Sequence, residues 1–197
     1  MLEGYLQRKA AWEILLKVNY GMYSDSALEK VVSNYKFTAL DIAFITELSF
    51  GCIRYRNFLD YWIDHTSKLD HQKQPPKLRW LLHIGLYQIL KMDKVPDSAS
   101  ISTSVEIAKK TELNKLSGVV NAILRNVTRK LKSNNLPELP INQAERISLK
   151  ESLPLWLVNE MIDWFGINET KKIAVSFNKK PKIDLRINTL KTTMRES

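Results

Sequence analysis

PPKLRWLLHIGLYQILK, residues 75–91, decides the fold. Leu78, Leu81, Leu82, Gly85, Leu86, Ile89 and Leu90 recur every third or fourth position, which is the spacing of one face of an α-helix. Pro75-Pro76 opens the segment, because proline is tolerated only at a helix start. Gly85 lies inside the stripe, where a missing side chain lets another helix approach closely. Pro96 separates this helix from the next, which Asp97 or Ser98 is expected to cap.

The same reading extends in both directions. Gly and Pro are scarce over the first two thirds, and strand signals are weak. Helices are expected at 6–20, 25–35, 38–52, 55–68, 76–92, 98–111 and 115–132. Short connections between amphipathic helices imply an all-α bundle. The composition changes at Ser133, where SNNLPELP (133–140) reads as a polar, proline-bearing linker. A second unit comes after it. Ser152 is expected to cap a helix beginning near Pro154 and stopping at Gly166. Asn168 starts another that runs to about Asn178, and residues 183–188 alternate as a terminal strand would. The division expected is 1–135 for a helical domain and 136–197 for a linker and a small second unit.

Composition narrows the function. The 197 residues are 44% hydrophobic, enough for a real core, and the net charge is +9. Residues 1–135 hold 20 Lys+Arg against 13 Asp+Glu, net +7, whereas residues 136–197 hold 10 against 8, net +2. A positive excess on one domain favours a polyanionic partner. No stretch is apolar enough to span a membrane, and the N-terminus lacks a signal peptide's apolar core, so nucleic acid in the cytoplasm leads over a membrane. The one cysteine, Cys52, rules out a disulfide within the chain. His65, His71 and His83 have no metal-ligand spacing, and no metal is expected.

The strongest local signal is NAILR (121–125) with its continuation to Lys132. At 100° per residue, Asn121, Arg125, Arg129 and Lys132 fall on one face of a helix. Val120, Ile123, Leu124, Val127 and Leu131 fall on the other. A line of fixed cations suits phosphates, with arginine able to grip two oxygens at once. The same pattern also describes a solvated face, and cations near a helix C-terminus favour the macrodipole without a ligand. Arg8 and Lys9 stand where the first helix begins, which opposes the dipole, so a phosphate contact would rationalise them; the alternative is an ordinary N-terminal helix. Arg56 can pair with Asp60 one turn on, while Arg54 has no such partner C-terminal to it and is a further candidate. Tyr55 beside it is either a base-stacking residue or a core tyrosine. Cys52, in an apolar helical pattern, reads as a buried inert thiol rather than a nucleophile. The six glycines are too dispersed to form a cofactor loop. No catalytic and no cofactor-binding residue is expected.

Six segments, in order, resemble ribosomal RNA cytosine-5 methyltransferases of the Sun/Fmu type. They are ELSFGCIRYRNFLDYWI (47–63), LLHIGLYQIL (81–90), PDSASISTSVEIAK (96–109), VVNAILR (119–125), LPLWLVNEMIDWFG (153–166) and LRINTLK (185–191). The first four also resemble the antitermination factor NusB, an all-helical RNA-binding fold, and the last two tilt the choice toward the methyltransferase. The resemblance implies a NusB-like domain followed by the start of a small linking domain, without the catalytic domain that would bind S-adenosylmethionine. It implies ribosomal RNA as partner, adds Arg186 and Asn188 as RNA contacts, and makes the chain inactive in methyl transfer on its own. The alternative is a NusB-like module that holds a protein partner or a homodimer. Ser98 and Thr103 depart from the family pattern, where many members have His or Arg and Glu, respectively.

Overall fold

The computed structural model describes residues 2–179. Among them the chain forms α1 (Tyr5–Asn19), α2 (Ser24–Val32), α3 (Ala39–Arg54), α4 (Arg56–Thr66), α5 (Pro76–Lys91), α6 (Asp97–Lys109), α7 (Ser117–Lys132), α8 (Gln143–Glu151) and α9 (Leu155–Phe177). The expected helices of the first 132 residues are all present, with ends shifted by up to three residues. The expected strand at 183–188 lies outside the described residues.

Local chemistry sets the helix ends. Thr38 and Asp41 form a reciprocal cap on α3: the Asp41 amide donates to Thr38 Oγ1 at 3.2 Å, and the Thr38 amide donates to Asp41 Oδ2 at 2.9 Å. Pro76 opens α5 as its first residue. Neither Asp97 nor Ser98 caps α6. Pro96 occupies the cap position and no side chain accepts a hydrogen bond there.

Helix α5 is the centre of the bundle. The expected stripe is too narrow: Leu78 and every residue from Trp80 to Gln88 are buried. Helices α1, α3, α4, α6 and α7 all pack around it. Its buried polar side chains each reach a partner, as the cost of an unpaired group requires, although His83 Nδ1 has none. Trp80 Nε1 donates to Asn19 Oδ1 at 3.0 Å, and the Tyr87 hydroxyl donates to Glu47 Oε1 at 2.8 Å. The helix crosses α7 at Gly85, where an added Cβ would meet the Leu124 side chain at 2.6 Å. The close approach expected there is what the structure has. Each fully buried leucine or isoleucine of this core, such as Leu81, Ile84 and Leu124, contributes about 1.5–3 kcal/mol of transfer free energy.

Helices α8 and α9 pair on a second, small cluster of Ile147, Val158 and Ala174. Helix α8 has no counterpart in the sequence reading. Its start is made by Asn142, whose Oδ1 accepts from the amides of Ala144 at 2.8 Å and Glu145 at 3.2 Å. Ser152 is not the cap of the following helix. It ends α8 in the left-handed region, at φ 54°, and its Oγ accepts from the Phe58 amide of α4 at 3.0 Å. That bond, with one from the Tyr61 hydroxyl to the Glu138 carbonyl, ties the small unit to the bundle. Helix α9 kinks at Gly166, φ 72°, which is the stop expected between its two halves. Trp156, Trp164, Phe165 and Phe177 of α9 are exposed.

Candidate nucleic-acid interface

Helix α7 is sharply two-sided. Val120, Ile123, Leu124 and Val127 are buried, and Leu131 is half-buried against the same core. Arg125, Arg129 and Lys132 are exposed, with Asn121 half-buried beside them. The face is ordered by its own amides. Arg125 Nε donates to Asn121 Oδ1 at 2.9 Å, and Arg129 Nη2 donates to Asn126 Oδ1 at 2.9 Å. Asn126 Nδ2 in turn donates to the Thr66 carbonyl at the end of α4, at 3.3 Å. A held guanidinium loses less side-chain entropy when it binds an anion. Asn126 is the residue that sequence reading missed; it belongs neither to the apolar stripe nor to the cationic line.

Two hollows flank this face. The first, of about 580 Å³, lies between α7 and the first turns of α6, and is lined by Ser98, Ser102, Asn121, Arg125 and Lys132, with Asp97 at one side. The acid is contributed by a neighbouring helix, so the α7 pattern alone did not reveal it. Ser98 is exposed there, whereas Thr103 is buried and donates to the Ala99 carbonyl at 2.6 Å. The second hollow is larger and mainly apolar, and it too is lined by Arg125.

The remaining candidates fall elsewhere. Arg8 is only 7% exposed. Its Nε donates to Gln88 Oε1 at 2.6 Å, its Nη1 donates to the Gly4 carbonyl at 3.1 Å, and the guanidinium lies 5.1 Å from the centre of the Phe44 ring. Burial pushes its pKa below the ordinary arginine value. Where a phosphate contact was expected, the structure has the guanidinium engaged within the protein. Lys9 is half-buried and pairs with Glu13 at 3.3 Å. Arg54 is exposed at the end of α3, beside a separate hollow formed with Thr46, Glu47 and Phe50. Tyr55 is half-buried; its ring lies tilted against that of Tyr87, 6.1 Å between centres, and carries Lys91 Nζ at 4.1 Å from its centre. Arg186 and Asn188 lie outside the described residues. The structure thus gathers Asn121, Arg125, Arg129 and Lys132 on one surface and separates Arg8, Lys9 and Arg54 from it.

Cys52 is fully buried, and burial pushes its thiol well above the ordinary value, so it is no thiolate at neutral pH. Among the described residues no group of histidines, cysteines and carboxylates could hold a metal. The one buried ionic cluster among them is structural. Asp60 accepts from Arg79 Nε at 2.6 Å and pairs with His83 Nε2 at 2.8 Å, while Arg56 stands at 4.0 Å. Burial alone would raise the Asp60 carboxyl, but the bonds and charges of His83 and Arg79 hold it at about 2. Burial lowers the pKa of His83 despite this pairing.

Comparison with known proteins agrees with this architecture. The family model described as "NusB family" matches residues 6–129. The chain is 37% identical over 192 residues to the probable ribosomal RNA small subunit methyltransferase B of Synechocystis sp., covering 96% of this chain and 42% of that protein. It is 31% identical over 191 residues to the probable enzyme of the same name from Bacillus subtilis, again covering 96% and 42%. It therefore spans about two fifths of the length of these relatives. The crystal structure of PH0851 superposes with a TM-score of 0.72 at 18% identity, covering all of this chain and 44% of that one. That similarity bears on the fold alone.

Proposed function

The chain belongs to the NusB family, and from that premise we propose that it is the RNA-binding, targeting region of a 16S ribosomal RNA (cytosine-5)-methyltransferase. The observation that carries the reading is the exposed line of Arg125, Arg129 and Lys132, two of them held by asparagines, on a domain whose long relatives are ribosomal RNA methyltransferases. Such cations neutralise phosphates and fix the orientation of an RNA without reading its bases. Ribosomal RNA is accordingly the proposed partner, and the cytoplasm the proposed location. No described helix is long and apolar enough to cross a membrane.

Methyl transfer is assigned to none of the described residues. Attack on a cytosine ring needs a thiolate, and Cys52 is sealed in the core as a thiol. The described residues do not fit S-adenosylmethionine either. They are helical, and they contain no strand leading into a glycine-rich turn. The role of this region is to bring RNA to chemistry performed elsewhere in the longer protein.

Titrating the chain against a labelled 16S ribosomal RNA fragment across a salt series tests this. Affinity should fall with salt, and Arg125→Ala/Arg129→Ala should weaken binding and flatten the salt slope by about two. Absence of binding at low salt by folded protein would overturn the reading.

A further inference from the structure

Arg125 stands on a ridge between two unlike surfaces. On one side is the polar hollow against α6. On the other is a groove of about 1170 Å³ walled by Leu69, Pro75, Leu78, Leu116, Val119 and Ile123. Leu69 is 55% exposed and Val119 41% exposed, so part of this wall faces water. A contiguous apolar surface left open in this way marks a place that something covers.

The rim indicates what. Lys68, Arg125 and Arg129 border the groove, and no acidic residue is among the described residues that line it. An apolar trough with a cationic edge complements a ligand that is flat and apolar inside and negatively charged outside. A nucleotide in a single strand has that form, with its base in the trough and its phosphates at the edge. An RNA duplex does not, because its bases are stacked within and it presents edges, sugars and phosphates.

The two guanidiniums are held where this requires. Asn121 fixes Arg125 and Asn126 fixes Arg129, one helical turn apart, a rise of about 6 Å. A planar cation can stack on a base face while its remaining N–H groups bind phosphate oxygens. Asn126 also lines the groove and is anchored to the carbonyl of Thr66, so groove wall and rim share one support.

Resting on the RNA reading above, we infer that this groove receives an unstacked base of single-stranded RNA, with the flanking phosphates on Arg125 and Arg129. The region then selects unpaired RNA over duplex, and the strand crosses α7 at Arg125 toward the polar hollow.

Three probes, compared at equal phosphate concentration, test it: a single strand of about 12 nucleotides, the same strand with central abasic sites, and the corresponding duplex. At fixed salt the intact strand should bind at least about fivefold more tightly than the other two. Ala122→Gln, a neutral substitution at an exposed groove position on α7, should reduce the intact strand to the abasic level. It should leave abasic binding and the salt slope unchanged. Equal, salt-dependent binding of all three probes would overturn the base site and leave the RNA reading standing. No salt-dependent binding of any probe would remove both. Base-independent RNA binding together with salt-insensitive capture of an acidic amphipathic peptide, blocked by Ala122→Gln, would give the groove to a protein partner instead.

Discussion

Helices α1 and α7 each carry basic residues that sequence alone treats alike, and the fold uses them in opposite ways. Arg8 of α1 points inward, onto Gln88 of α5 and the Phe44 ring of α3. Arg125 and Arg129 of α7 point outward, steadied by asparagines of their own helix. Arg79 joins Arg8 as an inward arginine, held by Asp60. A cation on an amphipathic helix is thus a candidate ligand contact only if no other element of the fold has claimed it.

The contrast predicts a clean separation of stability from RNA affinity. The largest effect falls on the inward set. Asp60→Ala would leave Arg79 and His83 without their partner in the core, and should lower unfolding free energy by about 3–5 kcal/mol. Denaturant midpoints measure this, and the fraction that remains folded should bind RNA as the parent does. Arg8→Ala removes a buried bond to Gln88 and the packing against Phe44, and should cost about 1–3 kcal/mol in the same assay, again with RNA affinity retained. Loss of RNA binding by folded Arg8→Ala protein would return Arg8 to the interface.

Acid should act through the same inward cluster. The Asp60 carboxyl sits at about 2 in the folded protein against 3.8 ordinarily. Its depressed value means that its contribution is present above the ordinary pKa and is lost as pH falls through 3.8 toward 2. His83 is held neutral by burial, below its ordinary 6.5, so the unfolded chain takes up that proton first. Stability should therefore already decline as pH drops below about 6.5. Thermal midpoints followed from about pH 7 to about pH 3 should fall monotonically, and a flat profile would contradict the placement of both groups. The smallest effect belongs to the outward pair. Arg125→Ala/Arg129→Ala should change unfolding free energy by no more than about 0.5 kcal/mol per site while weakening RNA binding.

The sequence is legible wherever the signal is local. Proline at the start of α5, the period of α7 and the close crossing at Gly85 depend on residues within a few turns of one another or on one missing side chain. Helix α8 escapes a periodicity reading because its nine residues bury only Ile147, too few apolar positions for a period to stand out. Its one advance signal is Asn142, three residues ahead of Glu145. Ser152 misleads for a related reason. A serine before a helix looks like a cap, but its hydroxyl is used by the Phe58 amide, 94 residues away in sequence. The apolar groove is equally hidden, because its walls come from α5, α7 and the segments that precede each of them.

The helical class, the positions of the first seven helices and the cationic line on α7 follow from local pattern, since these depend on backbone capping and a 3.6-residue period. Which charges remain available to a ligand depends instead on how the helices pack. Arg8 and Gln88 lie 80 residues apart, and no local pattern encodes that meeting. Burial and hydrogen bonding depend on which helices share a surface, and that assignment separates the Arg8 that supports the bundle from the Arg125 proposed to hold RNA.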